Sequence, residues 1–268
     1  MNKKCLISII LYKQEISELE HLSLLRIIDF CYKNNMPKNL MFIMPISFDF
    51  DLFFDTYIFN YTNINNIEYF TYNWKQYDDD CFSSVNACNN RIYLNKNHYG
   101  AFINSYDYIL QYQLDGYIFD NQLDYFLDKN YDYIGGYYLP MYCDRLAYKN
   151  FDNINDKHLL MNGGVSLKKI SFCIDCIENN FQNINGCDFD NIHSYMNEDA
   201  FFSMFYTTEV TALESIKFSL NWAAAESHYA INNFKYPFCC HGINKSNFLL
   251  KLVEKYNKEN NLDYSQYM

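Results

Sequence analysis

Short apolar segments alternate with helical patterns along the first half of the chain, and this alternation constrains the fold more than any other feature. Residues 6–12, 40–44, 108–112 and 131–137 are apolar runs of strand length, and residues 67–72 form a weaker one. Alternation of this kind is typical of α/β proteins, in which helices connect the strands of a largely parallel sheet. The sequence therefore predicts an α/β fold with a mainly parallel central sheet and helices on both faces.

The segments between these runs carry helix signals of unequal strength. Ser17 and Glu20 have the spacing of a capping box, which predicts a helix start. Residues 82–106 have a helical pattern with a break near residues 95–97. The aromatic-rich residues 48–61 leave helix and strand open as alternatives.

The second half has fewer strand signals and longer polar segments. Its predicted elements are, in order, a loop over 140–157, an extended segment over 165–167, a helix over 169–179, a loop over 183–195, a helix over 199–206 and a helix over 246–256. No repeat and no glycine- and serine-rich linker divides the chain. We therefore expect residues 1–268 to form one domain.

The charge balance argues against nucleic acid as a partner. The chain has 32 acidic and 21 basic residues, which gives a net charge of −11. Its densest groups of basic residues are only pairs, Lys3 with Lys4 and Lys168 with Lys169. Because phosphate contacts dominate nucleic-acid affinity, an acidic surface without a basic cluster disfavours such a partner.

No segment has the pattern of a membrane span or a secretory signal. The first residues, 1–12, hold a short apolar run without a small-residue cleavage site. No run reaches the roughly 18 apolar residues that a spanning helix requires. We expect a cytoplasmic protein, with peripheral attachment to the inner membrane left open, in which most of the ten cysteines are free core thiols.

Asp115 follows the predicted strand 108–112 within the sequence Tyr-Gln-Leu-Asp-Gly. Ligands of open α/β sheets bind outside the carboxyl ends of the strands, and a carboxylate there can hold a divalent metal. The alternative is an ordinary solvated turn aspartate.

Gly163 and Gly164 precede the extended segment 165–167. Paired glycines let a ligand approach the backbone closely, whereas the alternative is a tight turn without a ligand. Their spacing matches neither a phosphate-binding loop nor a dinucleotide fingerprint.

Glu198 and Asp199 stand at the start of a predicted helix. Acidic residues there interact favourably with the helix dipole, which is the simpler interpretation. The same carboxylates can instead act as a general base or bind sugar hydroxyls.

His241 lies between two cysteines and a glycine, a setting that suits either a metal ligand or a surface histidine. A zinc site that combines it with Cys173, Cys176, Cys239 and Cys240 is disfavoured, because no second Cys-x-x-Cys is present.

Taken in order, these four features resemble the motifs of GT-A glycosyltransferases. The whole chain more closely resembles a bacterial family of glycosyltransferase-like proteins that is catalogued as a domain of unknown function. The matching stretches are residues 9–15, 108–116, 123–126 with 131–135, 162–167, 197–202 and 237–242.

The resemblance implies a GT-A, Rossmann-like fold and a hexosyltransferase-like enzyme. Its donor would be a nucleotide sugar, UDP-linked, and its acceptor a glycan, for example in bacterial surface-glycan biosynthesis. Residues 1–137 would form the nucleotide-sugar-binding half, and residues 138–268 the acceptor-binding half with the C-terminal helix. The residues that would bind the donor are Tyr12, Asn90, Arg91, Gln113, Asp115, Gly163 and Gly164.

The resemblance also implies a cofactor, Mn²⁺ or Mg²⁺, held by Asp115 and His241. The family motif often reads Asp-x-Asp, but here Gln113 replaces the first carboxylate, so metal-independent transfer stays an alternative. Asp115 and His241 are therefore expected to lie together across a pocket.

Catalysis would fall to Asp199, with Glu198 in a structural or acceptor-orienting role. Asp199 is expected at the same pocket near Gly163 and Gly164, and Glu198 is expected to point elsewhere, since adjacent helical residues do not share a face. A reaction with inversion requires such a base, whereas one with retention does not.

Two other functions are open on the sequence alone. One is a non-catalytic relative that binds glycan or nucleotide, and the other is a protein-interaction module with an exposed apolar patch and no deep pocket.

Overall fold

The computed structural model describes residues 3–36, 39–61, 69–73, 85–138, 159–180 and 197–267. Two predicted loops, residues 140–157 and 183–195, lie outside the described residues.

The described strands are β1 (Cys5–Ile10), β2 (Leu40–Met44), β3 (Tyr69–Asn73), β4 (Tyr108–Tyr112), β5 (Gly116–Ile118), β6 (Tyr133–Tyr137), β7 (Met161–Lys169), β8 (Ser219–Asn221) and β9 (Cys239–His241). The described α-helices are α1 (Glu18–Lys33), α2 (Phe50–Tyr57), α3 (Val85–Tyr93), α4 (Lys96–Gly100), α5 (Leu123–Asp128), α6 (Ile170–Asn180), α7 (Glu198–Phe205), α8 (Ala212–Phe218), α9 (Ala225–Ile231) and α10 (Asn247–Glu259).

The central sheet has the strand order β3-β2-β1-β4-β7-β6. Strands β3, β2, β1 and β4 run parallel, and β7 is antiparallel to both of its neighbours. Every residue of β2 and β4 is buried although successive side chains point to opposite faces, so other elements cover both faces of the sheet. The predicted α/β fold with a mainly parallel central sheet is confirmed.

A second sheet of order β5-β9-β8 stands beside the first. Strand β5 follows β4 after only three residues, and its antiparallel pairing with β9 places Gly116 opposite His241. This pairing joins two parts of the chain that are more than a hundred residues apart, and it positions the site described below.

Several local predictions are confirmed. Ser17 caps α1, and Glu20 closes the capping box. The predicted break in residues 82–106 separates α3 from α4. The ambiguous residues 48–61 contain the helix α2, which Asp49 caps by accepting a hydrogen bond from Leu52 N at 3.0 Å.

One buried cation joins α1 to the second sheet. Arg26 donates hydrogen bonds to the carbonyl oxygens of Ile118 and Phe119, each at 2.7 Å. Its guanidinium also lies over the rings of Tyr117 and Tyr256. Because a planar guanidinium serves two acceptors in a fixed geometry, Arg26 fixes the end of β5 against α1.

Arg26→Lys is expected to lower the free energy of unfolding by about 2 kcal/mol, because one of the two buried carbonyl oxygens loses its donor. Urea titration followed by circular dichroism measures the change. The matched control is Lys255→Ala, since Lys255 forms an exposed ion pair with Glu259 at 3.8 Å that contributes little. If Arg26→Lys and the wild type unfold at the same urea midpoint, the two hydrogen bonds of the guanidinium do not stabilise the contact between β5 and α1.

Among the described residues, none of the helices combines the length and the apolar character that crossing a bilayer requires.

Candidate active site

A cavity of about 460 Å³ opens at the carboxyl ends of β1 and β4. This volume lies in the range of small-molecule sites. Among the residues that the sequence proposed for the site, those that line the cavity are Tyr12, Gln113, Asp115, Gly164, Glu198, Asp199 and His241. The fold thus brings the strand-end aspartate, Gly164 of the glycine pair, the acidic pair and the late histidine to one cavity.

Asp115 and His241 meet at one wall of the cavity. His241 Nε2 lies 3.0 Å from Asp115 Oδ1 and 3.0 Å from Gln113 Oε1. The carbonyl oxygen of Asp115 accepts hydrogen bonds from the backbone N–H groups of Gly242 and Ile243, each at 2.9 Å. The predicted approach of Asp115 and His241 is therefore confirmed.

A lysine that the sequence arguments did not single out completes this wall. Lys245 Nζ lies 3.3 Å from Asp115 Oδ2. Burial alone would raise the pKa of Asp115, but His241 and Lys245 hold this pKa well below its usual range. Asp115 is consequently an anion at neutral pH that carries two basic partners.

Gly164 makes room for the imidazole of His241. A Cβ atom built on Gly164 would overlap three atoms of the His241 ring. The expectation that Gly163 and Gly164 precede the extended segment is wrong, and so is the tight-turn alternative, because both glycines lie inside β7. Their absent side chains serve a close approach of side chains from β9 and α7, since a Cβ on Gly163 would stand 2.5 Å from Glu198 Oε1.

Asp199, in the first turn of α7, also lines the cavity. Its carboxylate accepts hydrogen bonds from the backbone N–H groups of Gly163 at 3.3 Å and Ala200 at 2.7 Å. Burial, reinforced by the charge of Glu198, raises the pKa of Asp199 to about 7. A carboxylate with such a pKa is suited to exchange a proton near neutral pH.

Glu198 also lines the cavity, so the expectation that it points elsewhere is wrong. Its backbone N–H donates to Asn90 Oδ1 at 2.9 Å, and its Oε1 accepts from Gln111 Nε2 at 3.1 Å. At the first turn of a helix, no preceding turn covers these side chains, so two adjacent residues can face one space.

Asn90 supports the site indirectly at the start of α7. Its Oδ1 accepts a hydrogen bond from the backbone N–H of Glu198, and its Nδ2 donates to Asn197 Oδ1 at 3.2 Å. Arg91, the other member of the predicted donor-binding pair, is not among the residues that line the cavity.

Other cavity residues were missed from the sequence, among them Glu20, Tyr138, Trp222 and Lys245. The side chain of Trp222 is 37% exposed and lies against Gly242, whose φ of +83° is in the left-handed region. The only sequence signals were the scarcity of tryptophan, with two in the chain, and the position of Lys245 four residues after His241.

The donor atoms at Asp115, Gln113 and His241 are of types that a divalent cation can use. Carboxylate and amide oxygens suit Mg²⁺ and Mn²⁺, and imidazole suits many transition metals. In the part of the chain that the structure describes, no group of three or more His, Cys, Asp or Glu side chains could hold a metal ion. The set therefore fits a cation only when further oxygens, such as those of a diphosphate, complete its coordination.

The cysteines of the disfavoured zinc site are buried thiols. Cys173 and Cys176 lie in α6, and Cys239 and Cys240 lie in β9. Burial raises the pKa of the Cys173 thiol to about 12, so this thiol is protonated at neutral pH.

The chain matches the model of a family described as "Protein of unknown function (DUF5672)" over residues 71–241, which is more than half of its length. No curated protein matches it. Its fold is similar to that of the galactosyltransferase LgtC in complex with donor and acceptor sugar analogs, with a TM-score of 0.53, 11% identity, and coverage of 94% of this chain and 95% of that one.

The fold is also similar to the apo structure of the bifunctional glycosyltransferase WbbM, with a TM-score of 0.53 and 11% identity. That similarity covers 96% of this chain and 50% of WbbM, so the chain spans half of that protein. At identities this low, the structural similarity shows only that the fold is shared. This fold is the GT-A fold.

Proposed function

The chain belongs to the DUF5672 family and has the fold of GT-A glycosyltransferases, and from this premise we propose that it transfers a sugar from a nucleotide diphosphate sugar to a hydroxyl group of a glycan. The observation that carries the proposal is that Asp115, His241, Glu198 and Asp199 line one cavity at the carboxyl ends of the strands. A role in the synthesis of a bacterial surface glycan and a UDP-linked donor are the finer parts of the proposal.

The donor diphosphate would lie against Asp115, His241 and Lys245. A nucleoside diphosphate gains negative charge as it leaves, and nearby fixed cations lower the energy of that state. Lys245 Nζ is 3.3 Å from Asp115 Oδ2 and supplies one such charge. A Mn²⁺ or Mg²⁺ ion, held by Asp115 and His241, would supply further positive charge when bound.

Asp199 would serve as the base. The acceptor hydroxyl oxygen bonds to the anomeric carbon, the bond from that carbon to the diphosphate oxygen breaks, and the hydroxyl proton passes to the Asp199 carboxylate. The pKa of Asp199, raised to about 7 by burial, makes it a stronger base than an ordinary aspartate.

The acceptor would lie between Asp199 and Trp222. A sugar ring has an apolar face of C–H groups and an edge of hydroxyl groups. Trp222 offers an exposed ring, and Tyr138 with Asn162 offers polar groups that hydrogen-bond each other at 2.6 Å. An aromatic surface edged by hydrogen-bonding groups matches this chemistry.

Thermal shift with a panel of UDP-sugars, each with MnCl₂, MgCl₂ or EDTA, tests donor binding, and UDP release in the presence of oligosaccharide acceptors tests transfer. A donor at 100 times its Kd stabilises the fold by about 2.7 kcal/mol, so the melting temperature rises by several degrees. Asp115→Asn is expected to weaken donor binding by about 10-fold or more, because the carboxylate that orients His241 and Lys245 is lost.

The matched control is Asp124→Asn, which changes an exposed aspartate of α5 outside the cavity and should leave the donor Kd unchanged. If no nucleotide sugar raises the melting temperature under any metal condition, the proposed function is wrong. Donor binding without UDP release for any acceptor would favour the non-catalytic relative instead.

A further inference from the structure

Lys168 is a fully buried lysine that interacts electrostatically with Glu198 and Asp199. It lies in β7, and its relative exposure is 0%, whereas its neighbour Lys169 is partly exposed. Burying a lysine is costly unless the charge is compensated. Among the salt bridges of the described residues none involves Lys168, so its position needs another physical reason.

The ammonium group is surrounded by aromatic rings and two oxygen atoms. Its Nζ lies 5.1 Å from the ring centre of Tyr93, 5.2 Å from that of Tyr133 and 5.9 Å from that of Phe202. It donates hydrogen bonds to Gln111 Oε1 and Ser166 Oγ, each at 2.5 Å. Cation–π contacts and charge-assisted hydrogen bonds partly replace the lost hydration.

The contact with Gln111 fixes the direction of its amide. An ammonium group can only donate, so the atom of Gln111 that faces Lys168 must be the carbonyl oxygen. The amide nitrogen then points the other way, and it donates to Glu198 Oε1 at 3.1 Å. A continuous path of hydrogen bonds thus runs from Lys168 through Gln111 to Glu198.

We propose that Lys168 is a positioning residue that, through Gln111, orients Glu198 and stabilises negative charge on the Glu198–Asp199 pair, so that Asp199 can take the proton of the acceptor hydroxyl. The inference rests on the proposed transfer reaction for the last step. The orientation and charge effects on the pair are measurable without that reaction.

Two adjacent buried carboxylates repel each other, and after burial itself the charge of Glu198 is the second cause that raises the pKa of Asp199. The charge of Lys168 lowers the pKa of Asp199 and opposes the upward effects of burial and of Glu198. The titratable groups that interact with Lys168 are Glu198, Asp199, Cys173, His98, Tyr93 and Tyr133. Tyr99 interacts in turn with Cys173, Tyr93 and Glu198. Tyr138 also interacts with both carboxylates.

Burial also lowers the pKa of Lys168 to about 8. The folded chain therefore binds the lysine proton less tightly than the unfolded chain does, and the charged lysine costs stability at pH 7. Lys168→Met removes this cost and retains an apolar chain within the aromatic rings. A variant with impaired function and an unchanged or higher melting temperature would not be explained by misfolding.

The test compares Lys168→Met with Lys169→Met, which removes the same charge at the next position of β7. The direct measurement is a titration of ¹³C-labelled carboxyl groups by NMR. The pKa of Asp199 is expected to rise in Lys168→Met by about one unit, because a nearby positive charge is lost, and to stay constant in Lys169→Met.

In the transfer assay, Lys168→Met is expected to lower kcat at pH 7 by about 10-fold, with a smaller change in the donor KM. The acidic limb of the pH profile should move upward with the NMR pKa, so that activity recovers at higher pH. Gln111→Leu should also raise the pKa of Asp199. In the double variant the shift should be smaller than the sum of the two single shifts, because both substitutions interrupt the same chain of hydrogen bonds.

An unchanged carboxyl pKa in Lys168→Met would overturn the inference whatever the activity. Additive pKa shifts in the double variant would overturn the path through Gln111. If the wild type transfers no sugar but the pKa of Asp199 is still higher in Lys168→Met than in the wild type, the network is supported and the proposed function is contradicted, so the two failures are distinguishable.

Discussion

Asp199→Asn is expected to lower the turnover of sugar transfer by about 100-fold or more while the donor Kd stays within twofold. Asparagine keeps the shape of the side chain but has no basic oxygen to take the acceptor proton. In the wild type, kcat should rise with pH through about 7, where the carboxylate of Asp199 ionises. The variant should lack this rise. Steady-state kinetics from pH 5 to 9 provide the measurement.

The same variant should be more stable than the wild type at pH 8. Burial raises the pKa of folded Asp199 from 3.8 to about 7, so the folded chain binds this proton more tightly than the unfolded chain. Stability from this group is present at low pH and is lost as pH rises between these values. Asparagine avoids that loss, although one hydrogen bond worth about 1 kcal/mol is given up.

Two matched variants separate catalysis from structure. Asp132→Asn changes another buried aspartate, which accepts hydrogen bonds from Thr207 and Thr208 outside the cavity, and it should lower stability without changing kcat. Glu198→Gln should cost less turnover than Asp199→Asn if the two roles are unequal. Near-normal transfer by Asp199→Asn, or a product that retains the anomeric configuration by ¹H NMR, would remove Asp199 as the base.

Gly164→Ala is expected to weaken donor binding by roughly 30-fold or more, which corresponds to a loss of about 2–5 kcal/mol. The new methyl group would occupy the space of the His241 ring, so the imidazole must leave Asp115 and Gln113. Overpacking at this buried position should also lower the free energy of unfolding by about 1–3 kcal/mol. Isothermal titration with the best donor and urea unfolding measure the two effects.

Gly100→Ala is the matched control, because a Cβ on Gly100 meets no atom within 4 Å. It lies in α4, where alanine should raise stability slightly and leave donor binding unchanged. In a His241→Ala background, Gly164→Ala should lose most of its stability cost, since the ring that it displaces is absent. A Gly164→Ala variant with wild-type donor affinity would show that the position of His241 does not matter for the donor.

Much of the fold could be predicted because local patterns and burial agree. Residues 40–44 and 108–112 were predicted as strands and form β2 and β4 with the same bounds. The spacing of Ser17 and Glu20 predicted the start of α1. Such signals depend on neighbours along the chain, and no distant residue is needed to read them.

The site residues could be found individually, but their arrangement could not. Asp115 and His241 stood out from their positions relative to strands and glycines, whereas Lys168 read as part of an ordinary basic pair. The neighbouring sequence does not distinguish Lys168 from Lys169. Lys168 is buried and Lys169 is partly exposed because of which face of β7 packs against α3 and α7.

The sequence by itself determined the α/β architecture, most strand and helix positions and the types of group available for chemistry. Only the tertiary structure decided that Gly164 makes space for His241 within a strand, that Glu198 shares the cavity with Asp199, and that Gln111 links Glu198 to Lys168. The physical reason is that each of these contacts joins different strands and helices. The distances across these contacts depend on the register of the sheet and on how separate strands and helices pack together. The periodicity along one segment does not encode either of them.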